Sequence, residues 1–283
     1  ENTMAFPLNF SYTPPSNVRQ LTPGKATIAL FGIGIVGAAL TIFLGIPMTM
    51  KVIGLGGIGS NLISPLCRYL DSLADRNIQV VVIDGDSYEA RNADRQEFLD
   101  VGNKAEVTAA RMRRDFPGLA IEAKSEYVTE ENIFFMINNG DTVFLGVDNH
   151  ATRKLVSDRC RELEEVTLIS GGNELTDGNV QIYLRNGGKD LTPPITHLHP
   201  EIAQPQDRNP AEMSCEELAA SGVPQLIFTN LAAAVHMLSA FWMVSAVLAG
   251  KQKLVYSEQF FDVRTGNTQA FLRKPEGNQR KAT

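Results

Sequence analysis

The sequence predicts an α/β chain: a doubly wound, mostly parallel sheet with additional antiparallel strands toward the C-terminal end. Three observations carry that expectation. From Met50 onward, apolar runs of strand length alternate with stretches of helical periodicity. The first run, over residues 50–55, passes into a glycine-rich turn holding Gly54, Gly56, Gly57 and Gly59. The next apolar run, Val80–Ile83, ends on Asp84-Gly-Asp86. A chain of 283 residues is long enough for one large domain of this kind with a small appendage.

In chain order, residues 1–26 are rich in Pro, Asn, Ser and Thr and read as an extended or disordered lead-in. Ala26 to Met48 contains no charged residue, and Thr27–Ile46 has about the length of helix that crosses a bilayer. Residues 27–46 are therefore a candidate membrane anchor, with Gly32, Gly34 and Gly37 as small packing positions. The rival reading is an apolar N-terminal element of the soluble fold. Residues 1–49 are assigned to an N-terminal extension, 50–273 to the main domain and 274–283 to a tail.

Within the main domain, strands are expected at 50–55, 79–84, 119–124, 141–147 and 166–171. Helices are expected at 58–74, 103–115, 129–138 and 149–165. Asp177–Arg185 alternates as a further strand, in antiparallel sense. Residues 186–224 carry Gly187, Gly188, Pro193, Pro194, Pro200, Pro205 and Pro210 and form a long irregular crossover loop, of the kind that is functional in a compact domain. Gln225–Ala249 is almost wholly apolar and reads as a buried core or dimer helix. Leu254–Val263 and Thr268–Arg273 read as a terminal strand pair.

Charge and cysteine usage narrow the function. The net charge is −6 and no basic stripe is present, which argues against nucleic acid as a main partner. Cys67, Cys160 and Cys215 are odd in number and far apart, and no CxxC pair occurs. Neither a disulfide framework nor a four-cysteine zinc site is indicated, and a reducing, cytoplasmic setting fits.

The glycine turn carries the first chemistry. Gly54 permits a tight turn, Gly56 lets the backbone approach a phosphate, and Gly59 lets helix and strand pack closely. The helix beginning near Gly57 and Ser60 then offers free N–H groups to an anion. Asp84 ends the second strand where a carboxylate accepts ribose hydroxyls. These features alone would also suit an NAD-dependent oxidoreductase. Such an enzyme would leave Arg95, Gln96, Lys104 and Asp148 without a role.

The residues past Asp84 favour a different reading, with the NAD-dependent oxidoreductase as the alternative. Asp84-Gly-Asp86, then Asn92, Arg95 and Gln96, then Lys104, then Asp148-Asn149 followed by Arg153, stand in order behind the glycine loop Gly54–Ser60. This series resembles the signature of the ubiquitin-activating-enzyme superfamily in its bacterial ThiF/MoeB-type branch, over residues 50 to about 272. The resemblance implies a Rossmann-like fold. It also implies ATP-dependent adenylation of the C-terminal carboxylate of a small ubiquitin-like or sulfur-carrier protein, by an adenylyltransferase acting as a homodimer. Peptides and modified tRNA bases are alternative substrates of the same fold. Nucleotide contacts are then implied for Gly54, Gly56, Gly57, Gly59, Ser60, Asp84, Asp86, Asn92, Arg95, Gln96, Lys104 and Asn149. Asp148 is the implied ligand of Mg²⁺.

The chemistry agrees. An ionised carboxylate must approach the α-phosphate of a tetra-anion, so positioning and charge neutralisation are most of the work. Arg95 and Lys104 are cations suited to phosphates. Magnesium binds through one or two carboxylates plus substrate phosphates, which suits Asp148. Catalytic roles therefore fall to Arg95, Lys104 and Asp148. Cys215 sits in the irregular loop before the apolar helix, where relatives carry a cysteine that takes the activated carrier. Glu216 and Glu217 beside it would oppose thiolate formation. The paired CxxC motifs that hold zinc in many relatives are missing. Cys67 and Cys160, in predicted helices, read as core thiols, and His197 and His199 as loop histidines.

Overall fold

The run Met-Thr-Met-Lys-Val-Ile forms the strand on which the sheet is built, because its second half is buried on both faces. The structure is a computed structural model that describes residues 48–73, 77–88, 100–213 and 226–275. The expectations for residues 27–46, Asn92, Arg95, Gln96 and Cys215 lie outside those residues.

Strand β1 (Met48–Ile53) lies between β2 (Ile78–Ile83) and β6 (Thr142–Leu145), parallel to both. β5 (Ala120–Lys124) adds to β2, and β7 (Val166–Asn173) adds to β6, again in parallel. The parallel order is thus β5-β2-β1-β6-β7. The chain winds outward one way through β2 and β5, then returns to the middle and winds the other way through β6 and β7. The reversal between β1 and β6 is a topological switch point, and the crevice at the carboxyl ends of those strands is where such sheets bind ligands. Antiparallel β8 (Asp177–Asn186), β10 (Glu258–Asp262) and β11 (Asn267–Phe271) continue the sheet beyond β7. Two short strands, β3 (Ser87–Tyr88) and β4 (Gly102–Asn103), pair with each other. A third, β9 (Lys189–Asp190), folds back on β8.

Helices cover both faces. On one side α1 (Gly57–Asp71), α2 (Lys104–Asp115) and α6 (Ile227–Leu248) close over Val52, Val80, Val82, Phe144 and Ile182. On the other, α4 (His150–Glu162) and the single turns α3 (Ile133–Met136) and α5 (Pro200–Ala203) enclose Ile53, Val81, Val143, Leu168 and Tyr183. Cys67 and Cys160 are fully buried in these layers, and burial pushes the Cys67 thiol up to about 12, which makes it an inert core thiol.

One element departs from the sequence expectation. The helix expected over 129–138 is a single turn. Asn132 accepts from Thr129 N at 2.9 Å, a reach-back that opens the helical turn, but the chain leaves helical geometry at Ile137, whose φ and ψ are −128° and 122°. The apolar helix α6 is only half core. Ala233, Ala234, Met237, Phe241 and Val244 are buried, while Phe228, Leu231, Val235 and Trp242 form an exposed stripe at helical spacing. Among the described residues it is the one helix long and apolar enough to cross a membrane, and 50% of its most apolar window is buried in protein.

Candidate nucleotide and adenylation site

The switch-point crevice is lined by the glycine turn on one side and the end of β6 on the other. Gly54 has φ +87°, and a Cβ there would lie 2.9 Å from Val147 Cγ1. Only glycine suits both demands. Gly59, one turn into α1, lies so close to the turn that a Cβ would approach Gly54 O to 1.9 Å. Helix α1 therefore packs directly on the end of β1. Its N-cap is Gly56, with no capping side chain. The first N–H groups and the positive end of the helix dipole are left for an anion. Ser60 is buried in the same turn, its N–H bonded to Gly56 O at 3.1 Å.

The acidic segment after β2 supports that turn. Asp84 accepts from Leu55 N at 2.6 Å through one oxygen and from Asp86 N at 2.8 Å through the other. Burial pushes its carboxyl pKa up, against the opposing pull of Lys104 and the two N–H donors. A carboxylate has about four acceptor positions, so lone pairs remain for ribose hydroxyls. Asp86 pairs with Lys104 Nζ at 2.9 Å and accepts from Tyr127 OH at 2.5 Å. Burial opposes ionisation of Asp86, but Lys104 and Tyr127 outweigh it and hold the carboxyl below its usual range. For Lys104, burial is likewise outweighed by Asp84 and Asp86, and its pKa is raised. Lys104 is thus a charged but paired cation, only 7% exposed.

Further residues hold this segment. Asn103 caps α2 by accepting from Ala105 N and Glu106 N, while its Nδ2 donates to Asp84 O and Asp86 O at 3.1 Å each. Tyr88, buried at the start of the same loop, donates to Leu55 O at 3.0 Å. Asn103 was legible as a helix cap, since Glu106 follows at capping-box spacing. Its grip on the acidic loop was not.

At the end of β6, Asp148 is exposed and has no hydrogen bond or ion pair among the described residues. Asn149 caps α4, accepting from Thr152 N at 2.8 Å. Asp207, from the crossover loop, accepts from His150 N at 2.7 Å and Ala151 N at 2.9 Å. The N-terminus of α4 is therefore closed by two side chains, whereas that of α1 has none. Arg153 lies beneath, donating to Ser170 Oγ, Val147 O and Gly171 O. Burial pulls its pKa down to about 10, with Asp148 and Asp207 opposing. Arg153 is a fixed brace between β6 and β7.

The described residues thus join the glycine loop, Asp84, Asp86, Lys104, Asp148 and Asn149 around one crevice. This arrangement defines a class: doubly wound α/β proteins that bind a nucleotide at an uncapped helix N-terminus. The ThiF family model matches residues 47–280, and the chain belongs to the ThiF family. No curated protein matches the chain in sequence. Among solved structures, E. coli MccB with AMPCPP and MccA has TM-score 0.62 at 15% identity, covering 86% of this chain and 68% of that one. E. coli MccB with ATP has TM-score 0.62 at 15% identity, covering 92% and 74%. PaaA has TM-score 0.59 at 15% identity, covering 90% and 76%. At these identities the likeness establishes the fold. Family membership, with these neighbours, supports an ATP-dependent adenylating enzyme acting on a peptide or protein carboxylate.

Proposed function

We propose that this chain adenylates the C-terminal carboxylate of a small ubiquitin-like or sulfur-carrier protein at the β1/β6 crevice. The observation that carries the reading is the uncapped N-terminus of α1 beside Asp84 on one side and, on the other, the exposed Asp148, which has no hydrogen bond or salt bridge among the described residues. The helix end receives phosphate oxygens, Asp84 the ribose, and Asp148 faces the reacting end of the nucleotide. A carboxylate oxygen of the carrier attacks the α-phosphorus. The bond from that phosphorus to the bridging oxygen of the β-phosphate breaks, and pyrophosphate leaves with the electron pair. The nucleophile is already ionised, so no general base is needed.

Charge balance supports the further parts of the reading. The described residues set Asp84 and Asp86 around one lysine that is already paired, and Asp148 near Arg153, whose guanidinium is committed to Ser170, Val147 and Gly171. A triphosphate on that background needs more positive charge. Arg95 is positioned in sequence to supply a bidentate cation. Asp148 is suited to Mg²⁺, which takes one or two carboxylates and completes its shell with phosphate oxygens and water. Among the described residues no cluster of three or more His, Cys, Asp or Glu side chains offers a cage of its own. Bound there, the ion would neutralise charge on the phosphates. Asn92 and Gln96 join the same loop in this reading, and the Cys215 thiolate attacks the acyl carbon of the adenylate, breaking its bond to the phosphate oxygen, so that a thioester forms and AMP leaves. The exposed stripe of Phe228, Leu231, Val235 and Trp242 on α6 supports a homodimer interface. The enzyme is expected in the cytosol, with residues 27–46 as its candidate membrane anchor.

A second reading has an observation of its own. MccB structures resembling this fold are complexes with MccA, which favours a short peptide as the carboxylate donor. The test is mass spectrometry of candidate substrates after incubation with enzyme, ATP and Mg²⁺. A small protein ending in Gly-Gly that gains an adenylyl group, and passes to wild-type protein but not to Cys215→Ser, supports the first reading. Adenylation of short peptides alone supports the second. Adenylation of neither rejects both.

A further inference from the structure

Three of the side-chain contacts that tie the crossover loop to the body lie within residues 199–209. His199 bonds Glu258 of β10 at 2.7 Å. Asn209, itself buried, donates to Val128 O at 2.7 Å. Between them, Asp207 places both carboxylate oxygens on the first two N–H groups of α4. The anchors lie on three separate parts of the fold, and Asp207 holds the middle one, two residues from Asp148 along the chain that it grips. We propose that Asp207 is a positioning residue: it straps the crossover loop across the carboxyl ends of β6 and β7 and so fixes the approach of the carboxylate substrate to Asp148.

The geometry separates this role from nucleotide binding. The phosphate-binding end is the N-terminus of α1, which no side chain caps. The equivalent end of α4 is already satisfied by Asp207 and Asn149, so it has no free donors for a second anion. Asp207 therefore makes one helix end an anchor for the loop and leaves the other to the nucleotide. Asn149 alone would serve as an ordinary cap. A carboxylate from a segment 57 residues away, added to the Asn149 cap, ties a long, proline-rich loop to the start of α4. Its neighbour Asn209 reinforces the same strap by accepting from Ala211 N at 3.0 Å, which shapes the turn that follows.

The inference rests on the adenylation reading only for what the strap positions. The strap itself is tested without it. Hydrogen exchange on the full chain would compare wild type, Asp207→Ala and Asp207→Asn over residues 147–153 and 200–213. The strap requires faster exchange on both sides of the contact in Asp207→Ala, a smaller effect in Asp207→Asn, which keeps one acceptor oxygen, and AMPCPP affinity within about two-fold of wild type. Loosening confined to 147–153 would reduce Asp207 to a helix cap and overturn the proposal. So would a loss of AMPCPP affinity of about ten-fold or more. In pyrophosphate exchange with a Gly-Gly-ending carrier protein, Asp207→Ala is expected to raise KM for the carrier about ten-fold with KM for ATP unchanged, and Asp207→Asn to recover part of the loss. An equal fall in kcat with both KM values intact would contradict it. If wild type shows no exchange at all, the adenylation reading fails, and the exchange-protection pattern alone decides whether the strap exists.

Discussion

Gly59→Ala is the sharpest probe of how the fold makes the site. The added Cβ would sit 1.9 Å from Gly54 O, where ordinary contacts are well beyond 3 Å. The obstacle is backbone, and it belongs to the residue whose φ of +87° forms the turn. Relief requires α1 to move from the end of β1 by about an ångström, or the turn to open. Nine residues of α1 are buried, so moving the helix disturbs the core it shares with α2 and α6. Overpacking of this kind costs about 1–3 kcal/mol. For a domain of this size that is a fall in Tm of about 2–4 °C per kcal/mol. The same movement displaces the N–H groups that receive phosphate, so AMPCPP affinity should fall by about ten-fold or more. Gly140→Ala is the control, because Gly140 has φ +85° with nothing within 4 Å and lies away from the crevice. It should lower Tm without changing affinity. Thermal melts and nucleotide titrations read both quantities. A Gly59→Ala protein with wild-type Tm and wild-type affinity would refute the close approach of helix and turn.

Other outcomes follow from particular side chains. Both amide atoms of Gln181 are buried without a partner among the described residues, so Gln181→Met should raise stability by about 1–3 kcal/mol in a thermal melt. A loss would mean that a bound group satisfies that amide. At His199, burial lowers the pKa, but Glu258 and Glu201 outweigh it and raise it overall. Arg273, on the far oxygen of Glu258, is the other charge in the cluster. A raised histidine pKa gives stability that is complete below the ordinary value near 6.5 and lost as pH rises through the folded value. The Tm difference between wild type and His199→Gln should therefore be largest in mild acid and shrink at alkaline pH; a flat difference would contradict the pairing. Asp86, held below its usual range, works in the opposite sense: its contribution is present above about pH 4 and lost as pH falls further. Asp86→Asn should remove that acid-side loss in a pH series of melts, and an unchanged series would count against the Asp86–Lys104 pair.

The parallel strands and their helices were legible because burial on both faces leaves continuous apolar runs, as in Val80–Ile83. The glycine turn and Asp84 were legible because local backbone geometry demands those residue types at that spacing. What the sequence did not disclose came from contacts between distant segments. Asp207 lies in a polar, proline-rich stretch with no periodicity, and nothing local says that its carboxylate meets His150 and Ala151. Tyr127 likewise gave no sign that it would reach Asp86. Lys104 was read as a cation suited to phosphate. Its pairing with Asp86 depends on Asn103 binding the acidic loop to the start of α2. The expected helix over 129–138 stopped after one turn because the backbone becomes extended at Ile137, whose side chain is fully buried in the core, a tertiary demand that periodicity does not register.

The most direct measurement is ATP–pyrophosphate exchange by the full chain with Mg²⁺, with and without small proteins or peptides bearing a free C-terminal carboxylate. Exchange that requires the carboxylate, and that Asp148→Ala reduces by a hundred-fold or so while AMPCPP still binds, is the expected result. Absence of exchange with every carboxylate, alongside saturable binding of NAD at the same crevice, would show that the site serves a different chemistry.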